Sequence, residues 1–248
     1  MTKKTQYSLI CIGIILLAVS AYIFFIKEPL DFPNKKVLNK KLEEVFQENG
    51  GIKIKQIQFL DKQHAVVFFS SRDNANGTSF WKWDTVKWSI VSADTMGIPK
   101  VWKVNPSDEN SYYVIWNFGP GNQYKKVDFY LISKRNFLVS DEMDTYTPGV
   151  QLKTNLPIEQ YSSGVMKLPM NMTAYIRDEI KIKQMNKLSF FNEEMPMYQF
   201  GWLGFANNGK IGIFNNSDGS GFGTGGEEGL QDVFFRDPSE LEGPLEEK

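Results

Sequence analysis

The chain has 248 residues, 42% of them hydrophobic and 23% charged, with 28 basic against 29 acidic residues and a formal net charge of −1. That length supports one substantial core or two small ones, and the balanced charge gives no basis for a nucleic-acid partner. One cysteine and one histidine leave too few ligands for a His/Cys zinc site and exclude an internal disulfide, whose absence points away from a secreted animal domain and towards a bacterial envelope protein.

The first element is the uncharged run from Leu9 to Ile26, LICIGIILLAVSAYIFFI. As a helix it is long enough to cross about 30 Å of hydrocarbon. Tyr7 and Tyr22 stand where amphipathic rings favour the membrane interface. A soluble helix of this composition would need burial on every side. The small residues Val19-Ser20-Ala21 before Tyr22 would suit a signal-peptide cleavage site, but the run continues through Ile26, which favours a retained signal-anchor over a cleaved peptide. Orientation draws on two opposing signals. Lys27, Lys35, Lys36, Lys40 and Lys41 follow the run and outnumber Lys3 and Lys4 before it, which places the following domain inside. A short dibasic start leading at once into an apolar run is the secretory form, and the expectation taken here is a domain outside the cytoplasm.

Pro29 and Pro33 mark a short stalk. Leu38, Leu42, Val45 and Phe46 then recur at helical spacing, with Asn34 placed to cap the helix and Gly50-Gly51 to stop it. Alternation of Ile52 and Ile54 with Lys53 and Lys55 opens a β region. Ala65–Phe69 reads as a buried strand, Asn76-Gly77 as a hairpin turn, and Phe80–Trp83, Trp88–Val91 and Val101–Val104 as further strands before a turn at Asn105–Asp108. A second unit resembles the first at a constant offset of 48 residues: Val114–Trp116 matches Val66–Phe68, Asp128–Leu131 matches Phe80–Trp83, and Leu138–Ser140 matches Ile90–Ser92. Two consecutive three-stranded meanders follow from this reading, in a sheet or sandwich; a period near 40–50 residues also occurs in propellers. A helix is predicted from Thr173, as cap, to Met185, with Ile176 and Ile180 on one face. Strand character returns over Met195–Phe214 around a turn at Asn207-Asn208-Gly209. Asn215–Gly229 is a glycine-rich loop, and the acidic stretch beyond Phe235 reads as a disordered tail.

Few residues carry recognisable chemistry. His64 lies in a predicted turn, where a solvated side chain is expected. Ser79-Phe80-Trp81-Lys82 spells Ser-x-x-Lys, a motif that works over one helical turn; in a strand the two side chains point to opposite faces. Gly221–Gly226 spells G-x-G-x-x-G but lacks the strand before it and the helix after it that a dinucleotide site requires. In the same loop Asn216, Asp218, Ser220, Gly221 and Glu227 fall at relative positions 1, 3, 5, 6 and 12. That spacing makes Asn216, Asp218, Ser220 and Glu227 a candidate calcium set, though asparagine stands first and no helix enters. Asp141, Glu142, Asp144, Glu193 and Glu194 are the carboxylates open to a wall-glycan hydrolase. Trp81, Trp83, Trp88, Trp102 and Trp116 would stack on glycan rings or, as is usual for alternating aromatics on strands, fill the core.

The sequence therefore predicts an α+β chain, mostly antiparallel β, with one N-terminal transmembrane helix and one or two short amphipathic helices. Residues 1–27 form the signal-anchor, 28–51 the stalk and amphipathic helix, 52–235 the β-rich domain and 236–248 the tail. The function expected is membrane-anchored binding outside the cytoplasm, without catalytic residues or cofactor. The expected partners are membrane lipid for the helix and an envelope protein or wall polymer for the domain. The alternatives are the carboxylate hydrolase and a cytoplasm-facing scaffold.

Overall fold

The computed structural model describes residues 3–21, 28–47, 50–71, 75–118, 124–138, 145–158, 162–185, 198–212, 223–224, 226 and 229–242. Among them the protein is α+β, with three α-helices and mostly antiparallel sheets.

Helix α1 (Lys3–Ala21) carries its apolar residues all round its axis. Ile10, Ile12, Ile14, Ile15, Leu16 and Leu17 are each more than half exposed. Among the described residues no helix is long and apolar enough to cross a membrane. Helix α1 is described only to Ala21, whereas the apolar run continues in sequence to Ile26.

Helix α2 (Lys35–Phe46) forms as its sequence dictates. The Asn34 side chain accepts from the Val37 N–H at 3.1 Å, satisfying an amide that the first turn leaves without a partner. Leu38 and Leu42, four residues apart, are fully buried. The helix closes one residue after Phe46, where Gln47 adopts a left-handed conformation, and Gly50 and Gly51, at φ +81° and +103°, turn the chain into the first sheet.

That sheet is a meander of β1 (Lys53–Phe59), β2 (His64–Ser70), β3 (Asn76–Trp83) and β4 (Trp88–Asp94), with β13 (Gly223–Thr224) added at the β4 edge. All of β2 is buried because both of its faces are covered. Ala65, Val67 and Phe69 face α2 together with Trp81, Trp83 and Trp88. Val66 and Phe68, the alternate residues, join Phe80 against Trp102 and Ile115 of the second sheet and Val104 just beyond β5. The Asn76-Gly77 pair is not the hairpin turn predicted from its sequence. It opens β3, with Gly77 opposite Phe69, and a Cβ on Gly77 would come within 2.2 Å of the Phe69 ring.

The second sheet contains β5 (Lys100–Lys103), β6 (Tyr112–Asn117), β11 (Ser163–Lys167) and β14 (Leu230–Asp232) in the order β11-β6-β5-β14. The third contains β7 (Tyr124–Ser133), β10 (Val150–Leu156), β12 (Tyr198–Ala206) and β15 (Phe234–Phe235) in the order β10-β7-β12-β15, with β12 and β15 parallel. A short hairpin, β8 (Asn136–Leu138) and β9 (Thr145–Thr147), stands apart. The largest core lies between these two sheets. Val114 and Trp116 meet Phe129, Leu131, Phe200 and Trp202, closed by Met172 and Ile176 of α3 (Met170–Met185). The order is thus α2, first sheet, second sheet, third sheet.

The 48-residue likeness locates strands but not their pairing. β6, β7 and β8 begin 48 residues after β2, β3 and β4. Only the first unit is a meander, since β7 leaves β6 and pairs with β10 and β12 in another layer. Helix α3 begins at Met170, before its predicted start. Thr173 is buried within the first turn, and its hydroxyl donates to the Met170 carbonyl instead of capping. Residues 236–242, predicted as the beginning of a disordered tail, are folded onto the third sheet. Arg236 is buried, Leu241 packs against the outer core and a 3₁₀ turn spans Pro238–Glu240.

Candidate functional site

The concave feature best defined by side chains lies at one end of the first sheet. There the stalk, the β1–β2 turn and Trp88 at the start of β4 converge on a cleft of about 590 Å³. Its walls include Leu30, Phe32, Phe59, Asp61, Lys62 and Trp88. Phe32 fixes the stalk here, packing edge-on against Phe59, Trp81 and Trp88 at centroid distances of 5.2, 5.7 and 4.9 Å. The Trp88 indole N–H donates to the Leu30 carbonyl at 2.9 Å, and Lys62 pairs with Glu28 across the mouth at 2.9 Å.

The β1–β2 and β3–β4 turns are each set by an aspartate that folds back on its own backbone, as short acidic side chains do. Asp61 Oδ1 accepts from the N–H groups of Gln63 and His64 at 2.7 and 2.8 Å. Asp84 Oδ1 accepts from Val86 and Lys87 at 3.1 and 2.9 Å, and its Oδ2 accepts from the Ser89 hydroxyl at 3.0 Å. Burial pushes the Asp61 carboxyl up, but the His64 side chain and these amides outweigh it and hold it below the usual range. The Lys87 amide leads the groups that hold Asp84 down. The Trp83 N–H donates to the Gln63 carbonyl at 2.8 Å and binds the two turns side by side. Thr85, at φ 81°, sits in the left-handed region that a β-branched residue rarely occupies.

His64 corrects the sequence expectation. It is buried, as the first residue of β2. Its Nδ1–H donates to Asp61 Oδ1 at 2.9 Å, and its ring stands edge-on to Trp102 at 5.1 Å. It is a tie between a turn and the core between the first two sheets, not a solvated base. Ser79 and Lys82 lie on β3 as the strand reading requires, with Ser79 buried and accepting from the Trp81 indole at 2.9 Å. All five singled-out tryptophans are buried in the core. The calcium set Asn216, Asp218, Ser220 and Glu227, and the carboxylates Asp141, Glu142, Asp144, Glu193 and Glu194, lie outside the described residues. Gly223 and Thr224 of the glycine-rich loop form β13, paired with Asp94 and Ala93. Among the described residues no group of three or more His, Cys, Asp or Glu side chains comes together as metal ligands would.

Sequence reasoning missed the buried ionic groups. Lys100 on β5 lies 3.3 Å from Asp94 at the end of β4 and also pairs with Asp232 on β14, joining the first two sheets and the C-terminal segment. Burial pulls the Lys100 ammonium down, but the two carboxylates outweigh it and hold it above its ordinary value. Burial pushes the Asp94 carboxyl up against the pull of Lys100. Asp128, buried at the centre of β7, is met by Lys126 at 3.2 Å and Lys153 at 3.7 Å. Tyr112 is held protonated first by burial and then by the neighbouring Tyr198. Each partner comes from another strand or lies two residues away, so a sequence pattern could reveal at most the Lys126/Asp128 pair.

These clusters tie layers together, and the open cleft at the stalk is a surface fit for contact. No protein-family model, no curated protein and no solved structure matches the chain.

Proposed function

We propose that this chain is a single-pass membrane protein whose N-terminal segment anchors a layered, mostly antiparallel β domain outside the cytoplasm. In that position the domain binds another component of the envelope, a protein or a wall polymer, and carries out no catalysis. The observation that carries the anchor is the ring of exposed isoleucine and leucine side chains around α1. A helix apolar on every side is stable where every side is covered, and hydrocarbon does that without a protein partner. The sequence adds Ile23–Ile26 to the same apolar run, and Lys3 and Lys4 before it have the secretory arrangement. The binding role is supported by the open cleft at the stalk, walled by Leu30, Phe59 and Trp88.

Alkaline carbonate extraction of membranes, combined with an impermeant protease added to intact cells or spheroplasts, tests both parts. The chain is expected to stay in the washed membrane pellet and the β domain to be digested from outside. Release into the wash overturns the anchor, and complete protection of the domain reverses its orientation.

A further inference from the structure

We infer that the end of the first sheet bearing the stalk cleft is a lipid-contacting face, seated on the interfacial zone of the bilayer through Leu30, Phe59 and Val86. The inference rests on the anchor proposed above and deepens it by saying how the domain is held.

Three observations carry it. The first is tether length. The apolar run ends at Ile26, and Phe32 is already locked among Phe59, Trp81 and Trp88. The six steps between them span at most about 20 Å when fully extended. The free tether is shorter still, because the chain already meets the domain at Leu30, whose carbonyl accepts from the Trp88 indole at 2.9 Å, and this keeps the end carrying Phe32 beside the membrane. The second is the direction of the elements. Helix α2 runs away from this end and β1 returns to it, so the β1–β2 and β3–β4 turns lie beside the point where the chain enters the domain, tied together by the Trp83–Gln63 hydrogen bond. The third is what those turns expose. Leu30 is 56%, Phe59 55% and Val86 63% accessible, on an end otherwise built of satisfied polar turns. Large apolar side chains left at a membrane-proximal edge gain by entering the headgroup region.

The occupant is the apolar interfacial layer and not anionic headgroups as such. Lys62 is already paired with Glu28, and the carboxylates Glu28, Asp31 and Asp61 outnumber Lys62 on the cleft wall, so the rim offers no surplus positive charge. Contact should therefore be insensitive to ionic strength.

The test uses the full chain, carrying Cys11→Ser, reconstituted in phosphatidylcholine vesicles containing a shallow nitroxide-labelled lipid. A single fluorescent label is placed through Phe59→Cys, Val86→Cys or Lys53→Cys. Lys53 is exposed at the opposite end of β1, about 20 Å away at the usual rise per residue. Labels at 59 and 86 are expected to be quenched at least about threefold more than the label at 53, as burial of a few ångströms in the interface implies, and high salt should not change this. Equal, weak quenching at all three positions in a chain that still floats with the vesicles overturns the lipid-contacting face and leaves the anchor standing. Quenching that needs anionic lipid and disappears in salt overturns the apolar contact in favour of electrostatic adsorption. A chain that no longer floats with the vesicles overturns the anchor, and this face with it.

Discussion

Replacing Lys100 with methionine isolates one buried charge. In the native protein the Lys100 ammonium stands 3.3 Å from the Asp94 carboxylate, with the two side chains only 10% and 4% exposed. At an effective dielectric constant near 20, that separation corresponds to an attraction of about 5 kcal/mol, most of which offsets the cost of burying the two charges. Asp232, half exposed, contributes less because water screens it. Lys100→Met leaves Asp94 charged and buried without its counter-ion, and such a group costs about 3–5 kcal/mol. Urea unfolding at pH 7 should show that loss. The Asp94→Asn, Lys100→Met double variant should recover most of it, because neither partner is then an uncompensated ion. The loss should also shrink on acidification. Burial already holds the Asp94 carboxyl above its ordinary value, and without Lys100 it rises further, so the folded variant takes up its proton at higher pH than the unfolded chain and gains relative stability as pH falls. A cost below about 1 kcal/mol, or one that does not change with pH, would refute the claim that this pair is a buried tie between sheets.

The remaining expectations are simpler. Wild-type stability should decline in alkali above about pH 10.5, because Lys100 is held above the ordinary value of 10.5 and its contribution is lost as pH rises through the folded value; a circular dichroism melt series reads this. In acid, Asp61 and Asp84 are both held low, so their contribution is present above the ordinary value of 3.8 and lost as pH falls below it; Asp84→Asn should flatten that acid limb. Gly77→Ala should destabilise by about 1–3 kcal/mol, the usual cost of overpacking, because the new methyl meets the Phe69 ring. Thr85→Asn should raise the melting temperature by relieving the left-handed strain at φ 81°. Phe32→Ala should cost about 1–3 kcal/mol, since the ring is half-buried, and limited proteolysis between residues 28 and 34 should accelerate.

Local chemistry was legible where it is self-sufficient. Helix α2 was readable because apolar spacing, an Asn34 cap and two glycines all agree, and the structure uses each of them. β2 was readable because a strand covered on both faces must be a continuous apolar run. What failed was partner choice. β7 lies 48 residues after β3 and resembles it in strand position, yet it pairs with β10 and β12, because core packing and not strand propensity selects neighbours. β10 and β11 were not predicted at all; Lys153, Thr154 and Asn155 interrupt the apolar signal of β10, which is an edge strand. Asn76-Gly77 has turn chemistry, but here the glycine makes room for Phe69 across the ladder. The same logic hides Arg236. Its charge suggests solvent, but its guanidinium donates to Gln199 Oε1 at 2.9 Å and to Glu240 at 3.3 Å, and it lies over Gly201, where a Cβ would come within 2.6 Å. Of the candidate site, Trp88 and the stalk prolines were visible in sequence, whereas the cleft itself depends on the stalk, the β1–β2 turn and the start of β4 meeting.

The central claim is that the apolar leading segment remains on the chain and holds it in a bilayer. Intact mass measurement of the protein recovered from alkaline-washed membranes tests this most directly. The pellet should yield the mass of a chain that retains residues 9–26; a chain beginning at Tyr22, or a full-length chain found only in the wash, would contradict a retained anchor.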